Sequence, residues 1–204
     1  MKKIVVLAGF LLSVALVRAQ SSGSVATEQS GTAGQSSATQ SPLDSSPLDM
    51  SYYPVDYPVL KIQDKLSEPL IARVVYSRPQ KKGRKLFGEL VNYGQVWRLG
   101  ANEATEIEFF RDVKIGGKLI KKGRYTLYAL VDTDKWTIIF NKETDTWGAF
   151  RYDSSKDVLR VSEPVEKQSG ITEVFSIAFH KVDKGAVLSF SWDDVLVKLP
   201  VSWK

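Results

Sequence analysis

Cysteine is absent from all 204 residues, histidine occurs once and methionine twice. Missing thiols exclude thiolate catalysis, disulfide staples and cysteine-ligated zinc. A lone histidine, His180, cannot build a multi-histidine metal site. The domain must therefore stand on its hydrophobic core alone, which about 150 residues are enough to supply. Also lacking are a dozen-residue window with helical periodicity, a glycine loop that leads into a helix N-terminus, and a G-x-S-x-G nucleophile elbow. No metal or cofactor is expected.

What is present begins with MKKIVVLAGFLLSVALVRAQ. Lys2 and Lys3 precede an apolar run from Ile4 to Val17, and Val17 and Ala19 stand where a signal peptidase reads. This is the layout of a secretory leader over 1–19, too short to span a bilayer comfortably. No transmembrane segment is expected once it is removed, and the product is expected to be periplasmic or extracellular. Residues 20–49 are rich in serine, threonine, glycine and glutamine and hold no aromatic, the composition of a flexible tether. Aromatics arrive at Tyr52 and Tyr53, so a single domain is expected over 50–204. It carries 25 basic and 20 acidic residues, a balance of +5 with both signs interspersed. That is not the footprint of a nucleic-acid binder.

The domain reads with a period of two. Tyr125, Leu127 and Ala129 alternate with Thr126, Tyr128 and Leu130; Phe175, Ile177 and Phe179 alternate with Ser176, Ala178 and His180. β-branched and aromatic residues fill such runs. KIGGK, KKGR, DTDK, VDKG and WDD separate them as turns. About eight to nine short strands are expected, in an antiparallel β-sandwich or jelly roll, with an open barrel as the lesser choice.

One stretch concentrates unusual residues: VVYSRPQKKGRKLFGELVNYGQVWRLGANEATEIEF. With IGGKLIKKGRYTLYAL, WTIIFNKETDTWGAFRYD and DVLRV, it closely resembles a family of exported bacterial proteins, domain-of-unknown-function family 2911, over roughly Ala72–Val201. The matching residues include Tyr76-Ser77-Arg78-Pro79, Lys82-Gly83-Arg84, Trp97-Arg98 and Gly100 to Thr105. Asn92 departs from the family's usual proline. The resemblance implies an exported β-rich domain and supplies no catalytic residue.

Gly88, Gly94 and Gly100 fall six residues apart and suit positive φ or close backbone approach. ATEIEFF, in contrast, reads as a strand with Thr105, Ile107 and Phe109 on one face. Around these residues two readings stand side by side. In one, Arg98, Asn102, Glu103 and Thr105 converge beside the open face of Trp97, with Lys82 and Arg84 at the rim. Arginine would grip a carboxylate or a hydroxyl pair, and tryptophan would offer a stacking plane. In the other, Arg98 pairs with Glu103 or Glu106, Asn102 satisfies loose backbone groups, and the segment is a buried knot.

Elsewhere the signals are plainer. His180 reads as an ordinary strand residue, although a carboxylate beside it would make a general base. Asp153 and Asp157 match no defined calcium loop and read as turn residues. Trp147, Phe150 and Tyr152 would stack on sugar rings if exposed. The expected function is a non-catalytic β-sandwich module that binds a glycan or small polar ligand in the cell envelope. The alternatives are a hydrolase working through paired carboxylates, Glu103 first among them, and a structural component of a surface assembly.

Overall fold

A computed structural model gives the fold of residues 43–204. The expected leader and most of the expected linker lie outside the described residues. Among the described residues, no helix is long and apolar enough to cross a membrane.

Strands β1 (Leu48–Tyr53) and β2 (Ala72–Ser77) flank a short helix, α1 (Tyr57–Ile62). Pro58 sits in the first turn of α1, where its missing N–H costs nothing. The helix buries none of its residues, so it contributes nothing to the core. There follow β3 (Val96–Trp97), β4 (Glu106–Phe109), β5 (Val113–Ile115), β6 (Lys118–Ile120), β7 (Gly123–Val131), β8 (Lys135–Asn141), β9 (Asp157–Val182) and β10 (Gly185–Ser202).

All pairings are antiparallel and make one ten-strand sheet in the order β1-β2-β4-β7-β8-β9-β10-β5-β6, with β3 beside β4 on β7. The edges β1 and β6 do not pair with each other, so the sheet stays open. An antiparallel β domain was the expectation. The strands number ten among the described residues rather than eight or nine, and two are long, β9 with 26 residues and β10 with 18.

β9 joins the two wings. Its first part, Asp157–Pro164, pairs with β8, and from Val165 onward it pairs with β10. Trp192-Asp193-Asp194, expected as a hairpin turn, is instead a bulge within β10. The register shifts on both sides of Asp193, which takes φ 56. Asp193 tolerates that left-handed conformation because its short polar side chain finds a partner, the Lys81 ammonium at 2.5 Å. The bulge bends the β9–β10 hairpin so far that a Cβ on Gly185, at the start of β10, would lie 2.2 Å from the carbonyl of Val201, near its end.

The alternation read from the sequence is the alternation of burial. Ile107 and Phe109, Leu127 and Ala129, and Phe175, Ile177 and Phe179 all enter one core. β7 is buried on both faces. Tyr128, with Ile139 and Ala104, forms a second, smaller cluster under the segments 97–105 and 142–152. Those two segments are laced together by Ala104 N–H donating to Thr146 and Gly148 N–H donating to Asn102, both at 3.0 Å. After β2 the chain also reaches the far wing: Phe175 N–H donates to Pro79 and Lys81 N–H to Glu173.

Candidate functional site

The stretch from Val96 to Glu106 packs largely as a buried knot, while the half-buried Arg98 lines a cleft. Trp97 belongs to the core. Its indole stacks on Trp192 at 5.9 Å and 12°, and meets Trp136 and Phe175 edge-on. Its Nε1–H donates to the Gly100 carbonyl at 3.2 Å. Burying an indole removes roughly 200 Å² from water, worth about 5 kcal/mol at 25 cal/mol/Å². The expected open stacking plane is therefore packed inside.

Thr105, also expected to meet ligand, is fully buried and donates to the Leu99 carbonyl. Gly100 crosses Ser77 so closely that a Cβ would stand 3.1 Å from the Ser77 carbonyl. Asn102 takes φ 57, and its amide donates to Asp44 at 3.0 Å.

Neither expected partner reaches Arg98. Glu106 pairs with Arg124 at 3.3 Å and accepts the Asp145 N–H at 2.6 Å. Glu103 is exposed and lines a different hollow. Arg98 itself is half-buried, and its Nε–H is buried with no acceptor among the described residues. Burial penalises the charged guanidinium and lowers its pKa.

Arg98 lines a cleft of about 380 Å³, within the roughly 300–1,000 Å³ range of small-molecule sites. One wall is Pro79, Gln80, Lys82 and Arg84; the other is Trp97, Gly100 and Ala101, with the edge of Trp192. Ser45 and Ser46, just before β1, form a lip, and Leu90 and Val91 add an apolar margin. The lining holds three basic side chains and no acidic one.

Within the basic run 77–85, most cations are already engaged. Arg78 pairs with Asp49 and Lys81 with Asp193, while Lys85 pairs with Glu89. The Arg84 guanidinium is braced on the carbonyls of Gln80 and Lys81. Lys82 stands at φ 48 with its N–H on Glu173, and its ammonium makes no ion pair among the described residues. So Lys82, Arg84, Trp97 and Arg98 come together.

Glu103 does not join them. It lines a different hollow, of about 330 Å³, with Glu106, Asp145 and Trp147 over an apolar floor of Leu48 and Val75. Trp147 is 62% exposed and Phe150 85%, unlike Trp136 and Trp192. Asp153 caps the turn Ser154–Lys156, accepting from Ser155. Asp157 accepts from Tyr152 at 2.6 Å, Asn141 at 2.7 Å and Arg160 at 2.8 Å. That network pushes the Tyr152 phenol up to about 12, through burial first and the adjacent carboxylate second. His180 bonds Ser189 at 2.8 Å and, among the described residues, no carboxylate. No group of three or more carboxylates or histidines suited to a metal ion occurs among the described residues.

The residues that close the Arg98 cleft, Pro79 to Arg84 and Val91 to Ala101, fall inside a stretch that a family's sequence model matches, 60–201, described as protein of unknown function DUF2911. The chain belongs to the DUF2911 family. No curated protein and no solved structure matches it. The match runs from Leu60, within α1, to Val201, one residue before the end of β10, and leaves β1 and the serine lip of the cleft outside it. Gln80, Leu90 and Trp192 are cleft residues that sequence reasoning missed. Trp192 comes from β10, far along the chain, and only the pairing of the wings brings it there.

Proposed function

We propose that this DUF2911 protein is an exported, non-catalytic module that binds a small acidic ligand, of sugar-acid or sugar-phosphate size, in the Arg98 cleft. The observation that carries the reading is the Arg98 guanidinium. It is half-buried, its Nε–H has no acceptor among the described residues, and it lines a cleft with two further cations and no described carboxylate. An incoming carboxylate or phosphate would accept a charge-assisted, forked hydrogen bond from the part of the Arg98 guanidinium that reaches the cleft. The cleft lining holds no carboxylate and no histidine, which favours a binding role over acid–base chemistry. The leader-like layout of residues 1–19 supports export to the periplasm or beyond.

The sheet is read as a sandwich, its two wings acting as layers. Phe175 and Trp192 of one wing pack on Tyr76 and Trp97 of the other, which supports that description.

The test is a thermal-shift and calorimetric screen of the full-length protein against phosphate, sulfate, uronic acids, sugar phosphates and neutral sugars. An acidic ligand at 100 times its dissociation constant stabilises the fold by about 2.7 kcal/mol. The effect is expected to vanish in Arg98→Ala and to fall in Lys82→Ala. Stabilisation only by neutral sugars, or equal stabilisation of Arg98→Ala, would refute the reading.

A further inference from the structure

A second concentration of positive charge lies away from the Arg98 cleft, and the bend in the β9–β10 hairpin creates it. Because Gly185 is folded against Val201, Lys181 and Lys184 at the hairpin turn come beside the end of β10 and its neighbour β5. They meet Arg111, Lys114 and Lys204 around a hollow of about 640 Å³, with Glu68 and Asp183 the only acids in its lining. Lys114, Lys181, Lys184 and Lys204 are in no ion pair with a described carboxylate. Arg111 is already engaged, its guanidinium donating to the main-chain oxygen of Lys204. Trp203 forms an aromatic wall, set edge-on to Tyr53 at 5.0 Å. The hollow runs on into a neighbouring one of about 360 Å³ that shares Arg111, Lys114, Trp203 and Lys204 and ends at the exposed Leu119 of β6.

We propose that this continuous groove is a docking site for a linear polyanion, a sulfated or carboxylated polysaccharide. Unpaired cations lining a concave, low-dielectric surface raise the local concentration of an oppositely charged partner. Two hollows in series suit an extended chain better than a single small anion. A concave surface suits a strand better than a flat bilayer, and Trp203 is half-buried against Tyr53 and so not free to insert into lipid.

The experiment measures binding of the full-length protein to heparin and to polygalacturonate across 50–300 mM salt. The probes beside them are phosphatidylglycerol vesicles and an oligothymidylate. Wild type is expected to bind a polysaccharide with log K falling against log salt at a slope of about −2 to −3, the release expected from three to four contacts at about 0.7 each. Lys114→Glu/Lys184→Glu should weaken binding at least tenfold and flatten the slope by about one contact. The charge-matched control Lys61→Glu/Lys135→Glu, and Arg98→Ala, should stay within twofold of wild type, each variant checked for an unchanged melting temperature. Any of four results would overturn the proposal: no polysaccharide binding, equal weakening by the control pair, loss with Arg98→Ala, or a tenfold preference for vesicles or oligothymidylate. If a groove variant melts early, Lys181→Gln, at an exposed strand end, replaces it with an expected threefold loss.

Discussion

Replacing Arg98 by methionine should make the free protein more stable while abolishing binding of an acidic ligand. The Arg98 Nε–H is buried without an acceptor among the described residues, in a half-buried guanidinium that none of their carboxylates pairs with. Methionine keeps most of the aliphatic length of the side chain and removes the unmatched donor and the charge. The unmatched donor alone is worth about 1–3 kcal/mol. Loss of the charge adds to the gain, whereas lost packing of the arginine stem subtracts from it. The net expectation is a gain of about 1 kcal/mol, which for a domain of this size is roughly 2–4 °C. Urea denaturation of wild type and Arg98→Met gives the difference directly, provided the slope is unchanged. A loss of 1 kcal/mol or more would mean that the guanidinium is a structural tie, and the argument that it waits for a ligand would fall. Binding residues held at the expense of stability are the usual form of this trade-off.

Three further outcomes are expected. Gly185→Ala should cost about 3 kcal/mol or more, because the new Cβ would stand 2.2 Å from a backbone oxygen and 2.9 Å from Ser202 Cα at φ 127; a loss below 1 kcal/mol would show that the hairpin is not bent as described. Gly83→Ala meets nothing within 4 Å and should cost only about 1–2 kcal/mol from its left-handed φ of 68, so denaturation of the pair separates collision from conformation. The folded-state pKa of Tyr152 lies above its ordinary value of 10.0, so its share of stability is intact below pH 10 and is lost as pH rises toward about 12. Wild type should accordingly lose stability more steeply than Tyr152→Phe between those pH values, and identical alkaline profiles would contradict the Tyr152–Asp157–Arg160 network.

Much of the fold can be read from local sequence because period-two burial is a local property. Thr105, Ile107 and Phe109 face the core as their alternation requires, and Gly116-Gly117 turns the chain between β5 and β6. The turn at 192–194 was misleading for a physical reason. Aspartate favours both turns and bulges, and what decides between them is a long-range partner, here Lys81, contributed by a segment after β2. The candidate site divides in the same way. Lys82, Arg84, Trp97 and Arg98 are close in sequence, and the structure brings them to one cleft. The partner of Glu106 was not legible: β4 pairs with β7 so that Arg124 lies diagonally across from it, a register that no local pattern reveals. Glu103 parts from Arg98 because the backbone between them bends, with Leu99, Gly100 and Asn102 at positive φ, and the two line different hollows.

If Arg98 awaits an anion, the most direct observation is the Nε–H resonance of that one side chain. Nitrogen-15 spectra of the full-length protein would be recorded with and without the tightest-binding acid from the screen, using Arg98→Lys to assign the signal. The Nε–H signal is expected to shift on addition of the acid, with the Arg124 and Arg160 signals unmoved. A signal unchanged at saturating acid would contradict the reading.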